Sequence, residues 1–417
     1  MDLREDNCVT LGSTEATLPC RSAAVATGSS ALAELRIFTN LAAAEPMWRA
    51  LEREVVFPAC QRFDILALWL RHVGTLAGVE PMIVIGFDGT GRPSMLWPLG
   101  RRRVGPFWVA EPLGGTHVNY NFGLWRKSLA ESLDAAAVAD LLARIAKLGV
   151  RVDVLAIERQ PSAWDGVTNP LRLLPHQPAP SYGWRAQLES DPAAYLARLM
   201  SPDTRHNFRR KERKLARNPG YRYHRTETPE EAARAIDAYF AQKAARLRRA
   251  GIANVFAEPG VEAFLRAAVQ HGLSDGRPLL ECHVLECDTE VIAFCGVLRD
   301  DRRVSALLLS ITGSENARWS PGVVLLIHLV SECCAAGYDW FDLGVGEAGY
   351  KGWFCDEAEA LFDSFLPLTL SGGVLAAGRA GQNALKRRIK QSPRLWATVQ
   401  SVRRRLFGAG CSAEETR

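Results

Sequence analysis

The stretch from Leu307 to Trp353 constrains the fold more than any other part of the chain. A strand-like run, Val304 to Ile311, leads through a polar loop to Trp319, Ser320, Pro321 and Gly322. An apolar block, Val323 to Ala336, reads as a helix. Gly337 follows, then a second strand-like run from Tyr338 to Leu343, then Gly344, Gly346, Gly349, Tyr350, Lys351, Gly352 and Trp353. The order is strand, tight loop, helix, strand, polar loop. Ser is a favourable N-cap, and Pro at the first helical position arrives with φ already set. Gly lets backbone approach a ligand closely. A helix N-terminus facing outward suits an anionic group such as a pyrophosphate, and Arg318 just before it adds charge. The same residues also make an ordinary helix cap, and their spacing alone does not separate the two readings.

A chain of 417 residues is too long for one ordinary domain, so two or three are expected. Its 47% hydrophobic and 23% charged residues fit a globular protein with packed cores, and the net charge of +5 is mild. The ten Cys contain no C-x-x-C pair, which argues against a zinc or redox site, and no metal is expected. Thiols without framework spacing read as buried and free, as in a reducing cytosol. The opening residues, Met1 to Asp6, lack the basic start and apolar core of a secretory signal. The most apolar run, Gly322 to Gly337, is interrupted by His328, Ser331 and Glu332, so it reads as a buried helix rather than a membrane span. The expected location is cytoplasmic, at most peripheral to a membrane face.

Four segments are expected. Residues 1–30 are small and polar and predict no fixed structure. Residues 31–182 alternate helices with a largely antiparallel sheet, and end where Pro170, Pro175, Pro178 and Pro180 cluster. Residues 183–370 repeat that grammar: a basic helix at Thr204 to Asn218, a long helix from Pro229, a meander from Leu279 to Ile311, and a final strand from Phe362 to Leu370. Residues 371–417 read as a basic amphipathic helical tail, suited to docking on the domain or to an anionic membrane surface. The fold class is α/β with mixed sheets.

The residues Arg205, Asn207, Arg209, Arg210 and Leu215, then Ser320 to Gly322, then Gly337, Phe341 to Gly344, Tyr350, Lys351 and Trp353 carry a resemblance. The chain resembles the BioF2-like, or CelD-like, acetyltransferases of the GNAT superfamily, which share their pattern with Fem-type aminoacyltransferases. The match is firmest over 195–370 and looser over 35–185. The resemblance implies tandem GNAT-like units, with an acyl-CoA donor held in the second between two parted parallel strands. The donor's pyrophosphate then falls on Arg318, Trp319, Ser320, Pro321 and Gly322. Only Gly322 matches a glycine of the usual superfamily phosphate-binding signature, and Pro321 has no N–H to offer.

The resemblance also implies site roles. Tyr350 becomes the general acid for the leaving thiolate, Lys351 an oxyanion or acceptor contact, and Asp342 and Glu347 the carboxylates nearest in sequence to act as base. His283 and His328 read as core histidines. By their charge and polarity alone, Arg205, Asn207, Arg209 and Arg210 read either as a solvated helix face or as a site for an anionic acceptor, a small molecule or a glycan. The expected activity is acyl transfer from acyl-CoA to an amine or hydroxyl on a sugar, polysaccharide or envelope precursor. Two alternatives stay open: a Fem-like enzyme drawing on aminoacyl-tRNA, the one nucleic acid expected, and a non-catalytic accessory module of a polysaccharide synthesis machine.

Overall fold

The computed structural model describes residues 21–23, 32–392 and 395. Expectations for the rest of residues 1–31 and for the tail beyond 392, apart from 395, lie outside the described residues. In the first unit the strands are β1 (Arg21–Ala23), β2 (Glu34–Phe38), β3 (Glu80–Phe87), β4 (Pro93–Val104), β5 (Phe107–Pro112), β6 (Leu124–Trp125), β7 (Val154–Pro161), the hairpin β8 (Ala163–Trp164) and β9 (Val167–Thr168), and β10 (Gln177–Pro178). Its helices are α1 (Leu41–Glu52), α2 (Phe63–Trp69), α3 (Lys127–Ser132) and α4 (Ala135–Lys147). The second unit comprises β11 (Gly183–Gln187), α5 (Pro192–Leu199), α6 (Pro202–Leu215), β12 (Arg222–Arg225), α7 (Pro229–Arg249), α8 (Val261–Gln270), β13 (Glu281–Cys287), β14 (Glu290–Arg299), β15 (Arg303–Ile311), α9 (Pro321–Ala335), β16 (Trp340–Val345) and β17 (Glu357–Glu359). The chain then runs into β18 (Leu361–Pro367) and α10 (Gly372–Gln391).

Two sheets organise these elements. The first runs β1-β2-β3-β4-β5-β7-β18-β10, with β6 beside β4, and the second runs β12-β13-β14-β15-β16-β11-β17. In each sheet one pair is parallel, β5 with β7 and β15 with β16, and the helical crossover between its two strands makes that direction possible. Every residue of β13 is buried, because α7 and α8 cover one face of the second sheet and α9 the other. α9 itself is buried along most of its length, which explains why its sequence is apolar on nearly every side.

One expectation is corrected here. The strand expected to finish the second unit, Phe362 to Leu370, is β18, and it pairs antiparallel with β7 and β10 of the first sheet. Leu361, Phe362 and Leu366 pack with Trp97 and Trp125 of the first unit, so that core, not nearness in sequence, decides where the strand goes. The tail's described part, α10, begins earlier than its basic run and docks on the same sheet. Ala376 is buried there, Asn383 donates to Asp363, and Arg379 pairs with Glu111.

A candidate active site where two parallel strands part

β15 and β16 are in parallel register at only three positions, Arg303 with Trp340, Val304 with Phe341 and Ser305 with Asp342. β15 then continues to Ile311 and β16 to Val345, and a cavity of about 240 Å³ opens between them. Ala306 to Leu309 form one wall, and Leu343, Val345 and Gly346 the other. Gly344 and Gly346 have φ of +70° and +119°, conformations that turn β16 away from its neighbour at little steric cost.

Tyr350 and Lys351 sit at this opening on a short 3-10 turn, Gly349–Trp353, and both line the cavity. Burial pushes the Tyr350 phenol up to about 12, so it holds its proton at neutral pH. Lys351 is buried, and its Nζ donates to the Gly344 carbonyl at 3.0 Å. Burial brings its pKa down to about 8 against the pull of Asp342. Glu347 also lines the cavity but is exposed, with Oε1 accepting from the Tyr182 amide at 3.3 Å.

Asp342 faces away from the cavity. Its carboxylate is fully buried, accepting from the Tyr120 hydroxyl at 2.9 Å and from the Gly344 amide at 2.6 Å, and it pairs with Arg303 at 3.8 Å. Burial holds this carboxyl above the ordinary range, with Arg303 working against the rise. Arg303 in turn pairs with Asp165 at 2.6 Å and lies 3.9 Å over the Trp164 ring. Asp342 thus anchors Gly344, and Gly344 holds Lys351. His283 and His328 are likewise away from the cleft, flanking the Tyr223 ring in a stack.

The start of α9 differs from the expected cap. Ser320 adopts a left-handed conformation (φ 52°), and its side chain caps no backbone amide. Its hydroxyl accepts instead from Lys211 of α6, at 2.8 Å. The amides of Val323 and Val324 bond to the Ser320 carbonyl, and Pro321 has none. A Cβ on Gly322 would meet Ile311 Cγ2 at 2.8 Å, so this glycine lets α9 approach β15. Arg318 is exposed, lying over Trp319 and 3.8 Å from Glu315. The cation delivered to this helix start is therefore Lys211.

Of the four residues expected to hold an acceptor, Arg209 and Arg210 are exposed on α6, and Arg210 donates to Asn207 at 3.1 Å. Arg205 is half-buried on the same helix. None of the four lines the cavity. α6 is pinned to α9 by Glu212 and His328, 2.6 Å apart, which sets Lys211 against Ser320.

Sequence reasoning gave no cleft role to Lys243 or Asn119, which both line the cavity. Lys243 reaches in from α7 and donates to the Leu309 carbonyl at 3.3 Å. Burial, helped by Arg246, lowers its pKa to about 8. Its signal in the sequence, one more lysine in a basic helix, was indistinguishable from a solvated charge.

The matching place in the first unit is closed. β5 and β7 pair in parallel at Val109 with Val154 and Ala110 with Leu155. Beyond them the loop 113–123 takes the edge of β7. Arg159 donates to the carbonyls of Gly115 and Val118, and Asn121 Nδ2 to that of Glu158 at 2.7 Å. The start of α4 already carries an anion, because the Asp134 carboxylate accepts from the Ala137 amide at 2.8 Å. The two units share a plan, and one of them keeps an open cleft.

All seven cysteines among the described residues are buried and unpaired. Burial pushes the Cys355 thiol far up, which deprives it of the thiolate a nucleophile needs. Among the described residues no group of His, Cys, Asp and Glu is arranged to hold a metal ion, and no helix is long and apolar enough to cross a membrane.

A meander, a crossover helix and two parallel strands that part beside a Tyr and a Lys make up a fold of the GNAT type. Residues 202–352 match the family model described as an acetyltransferase (GNAT) domain. Among solved structures, FemX is similar at 11% identity and a TM-score of 0.54, covering 77% of this chain and 96% of FemX, which shows a shared fold. L-PGS from Bacillus licheniformis is similar at 12% identity and a TM-score of 0.45, over 76% of this chain and 96% of that one. A tandem GNAT protein from the clavulanic acid biosynthesis pathway is similar at 11% identity and a TM-score of 0.40, over 81% and 98%. A comparison with curated proteins gives no match.

Proposed function

We propose that this chain transfers an acetyl or other acyl group from a coenzyme A thioester to an amine or hydroxyl, on a sugar, polysaccharide or cell-envelope precursor. The observation that carries this reading is the cleft between β15 and β16, with the Tyr350 phenol and the Lys351 ammonium at its opening. The acceptor nitrogen or oxygen attacks the thioester carbonyl, the carbon–sulfur bond breaks, and the Tyr350 phenol gives its proton to the departing thiolate. Lys351 and Lys243, each with a pKa near 8, are part-neutral around that pH and supply groups able to take the acceptor's proton. Lys211 at the start of α9 supports the donor's phosphates. Transfer is direct, because the thiols near Tyr350, Cys295 and Cys355, are buried and kept protonated.

Addition of acetyl-CoA tests this. At about 100 times its dissociation constant it adds roughly 2.7 kcal/mol and raises the melting temperature. No shift with acetyl-CoA or coenzyme A would sink the donor assignment.

A second reading, transfer from an aminoacyl-tRNA, draws on the likeness of fold to FemX and on the basic exposed face of α6. Steeply salt-dependent tRNA binding, without coenzyme A binding, would favour it. For peripheral membrane contact the supporting feature is the segment 370–391, which carries exposed Leu370, Val374 and Leu385 and exposed Lys386, Arg388 and Lys390. Co-sedimentation with anionic vesicles, lost on removing residues 380–417, is the result expected.

A further inference from the structure

The loop that closes the first unit's opening also enters the open cleft of the second. Asn119 lies where β15 and β16 part. Its Nδ2 donates to the Ala306 carbonyl at 3.0 Å, one residue beyond Ser305, the last β15 position in parallel register. Parting strands strand their facing carbonyls, and the carboxamide takes the place of the missing neighbour. On its other side it presses on Gly344, where a Cβ would come within 2.5 Å of Nδ2 and 2.9 Å of Oδ1. Tyr120, the next residue, donates to Asp342, and a Cβ on Gly183 of β11 would meet its hydroxyl at 2.7 Å. Two glycines of the second sheet thus stand where side chains of the first unit press.

We propose that Asn119, supplied by the N-terminal unit, is the floor of the acyl pocket and restricts the donor to a short acyl group. The proposal rests on the coenzyme A reading above. The carboxamide is held between strand backbone on one side and a glycine on the other. The cavity of about 240 Å³ must take the thiol end of the donor as well as its acyl group. A longer chain that follows the cleft inward from its opening meets Asn119 before the strands close.

Calorimetric titration of the full chain, without acceptor, with coenzyme A, acetyl-CoA and hexanoyl-CoA tests this. Wild-type protein should bind acetyl-CoA at least about tenfold more tightly than hexanoyl-CoA, the size expected when a pocket rejects extra methylenes. Asn119→Ala should cut that preference to about threefold or less and change coenzyme A affinity by less than about twofold. Asn119→Gln, which keeps the amide and lengthens it, should weaken acetyl-CoA relative to coenzyme A by about threefold or more, and it serves if the alanine variant fails to fold. A preference unchanged in both variants, with coenzyme A still bound, overturns the floor and leaves the donor reading standing. Equal binding of acetyl-CoA and hexanoyl-CoA by wild-type protein does the same. Failure of wild-type protein to bind coenzyme A removes the donor reading and the proposal together.

Discussion

At the scale of single residues, burial sets the chemistry of the cleft. Tyr350 keeps its proton because a buried phenolate is penalised, and the two lysines approach neutrality because a buried ammonium is penalised. Tyr350→Phe leaves the shape of the cleft and removes the proton. It should lower kcat by about 10²-fold or more with little change in donor KM, and single-turnover kinetics would show whether the loss falls on the chemical step. Lys351 makes a prediction about stability. The folded chain releases this proton near pH 8, whereas an unfolded chain holds it to about pH 10.4. Between those values the folded state binds fewer protons, so this group's contribution to stability rises with pH across that window and is at its least favourable below pH 8. Lys351→Met removes the buried charge. Relative to wild type, its melting temperature should be highest at pH 6–7 and fall towards or below the wild-type value at pH 10–11. A difference independent of pH would mean that the hydrogen bond to Gly344, not the charge, governs the site.

At the scale of elements, the chain's local grammar was legible and its partnerships were not. The meander, the crossover helix and the strand carrying Asp342 follow from alternation, helical spacing and turn residues near in sequence. The same signals cannot say which sheet a strand joins, and β18 fits either core by its apolar pattern. Nor can they tell an anchoring carboxylate from a catalytic one: Asp342 looked available, yet Tyr120, from more than two hundred residues earlier, closes it off. The place of Tyr350 and Lys351 beside the cleft was legible because both follow the end of β16 by a short loop, whereas Lys243 and Asn119 reach the cleft from distant elements. Gly322, expected from the sequence to face a phosphate, stands at a packing contact. It is a contact between α9 and β15, so Gly322→Ala should cost about 1–3 kcal/mol through overpacking. Denaturant unfolding would show this as a lower midpoint with an unchanged slope, and a neutral result would return Gly322 to the ligand-facing role.

At the scale of the whole molecule, the two units share one core. Trp48, Phe63 and Leu66 of the first pack in the same cluster as Tyr239, Phe264 and Val269 of the second. The chain passes from the second sheet back to the first through β18, and Arg303 joins Asp342 of the second unit to Asp165 of the first. An arrangement of this kind predicts that the units unfold together, as one calorimetric transition rather than two. The join is tightest at Gly260, the residue before α8. It has φ +82°, and a Cβ there would fall 1.8 Å from the His72 carbonyl of the first unit. Gly260→Ala combines a strained backbone with a clash between units, and it should cost about 2 kcal/mol or more. If the units form one cooperative body, the melting temperature drops and the transition stays single, because the loss at the join is felt on both sides. If they are independent bodies in contact, the same substitution splits the transition in two, and the cleft-bearing unit then keeps its ligand-induced stabilisation while the first unit melts early.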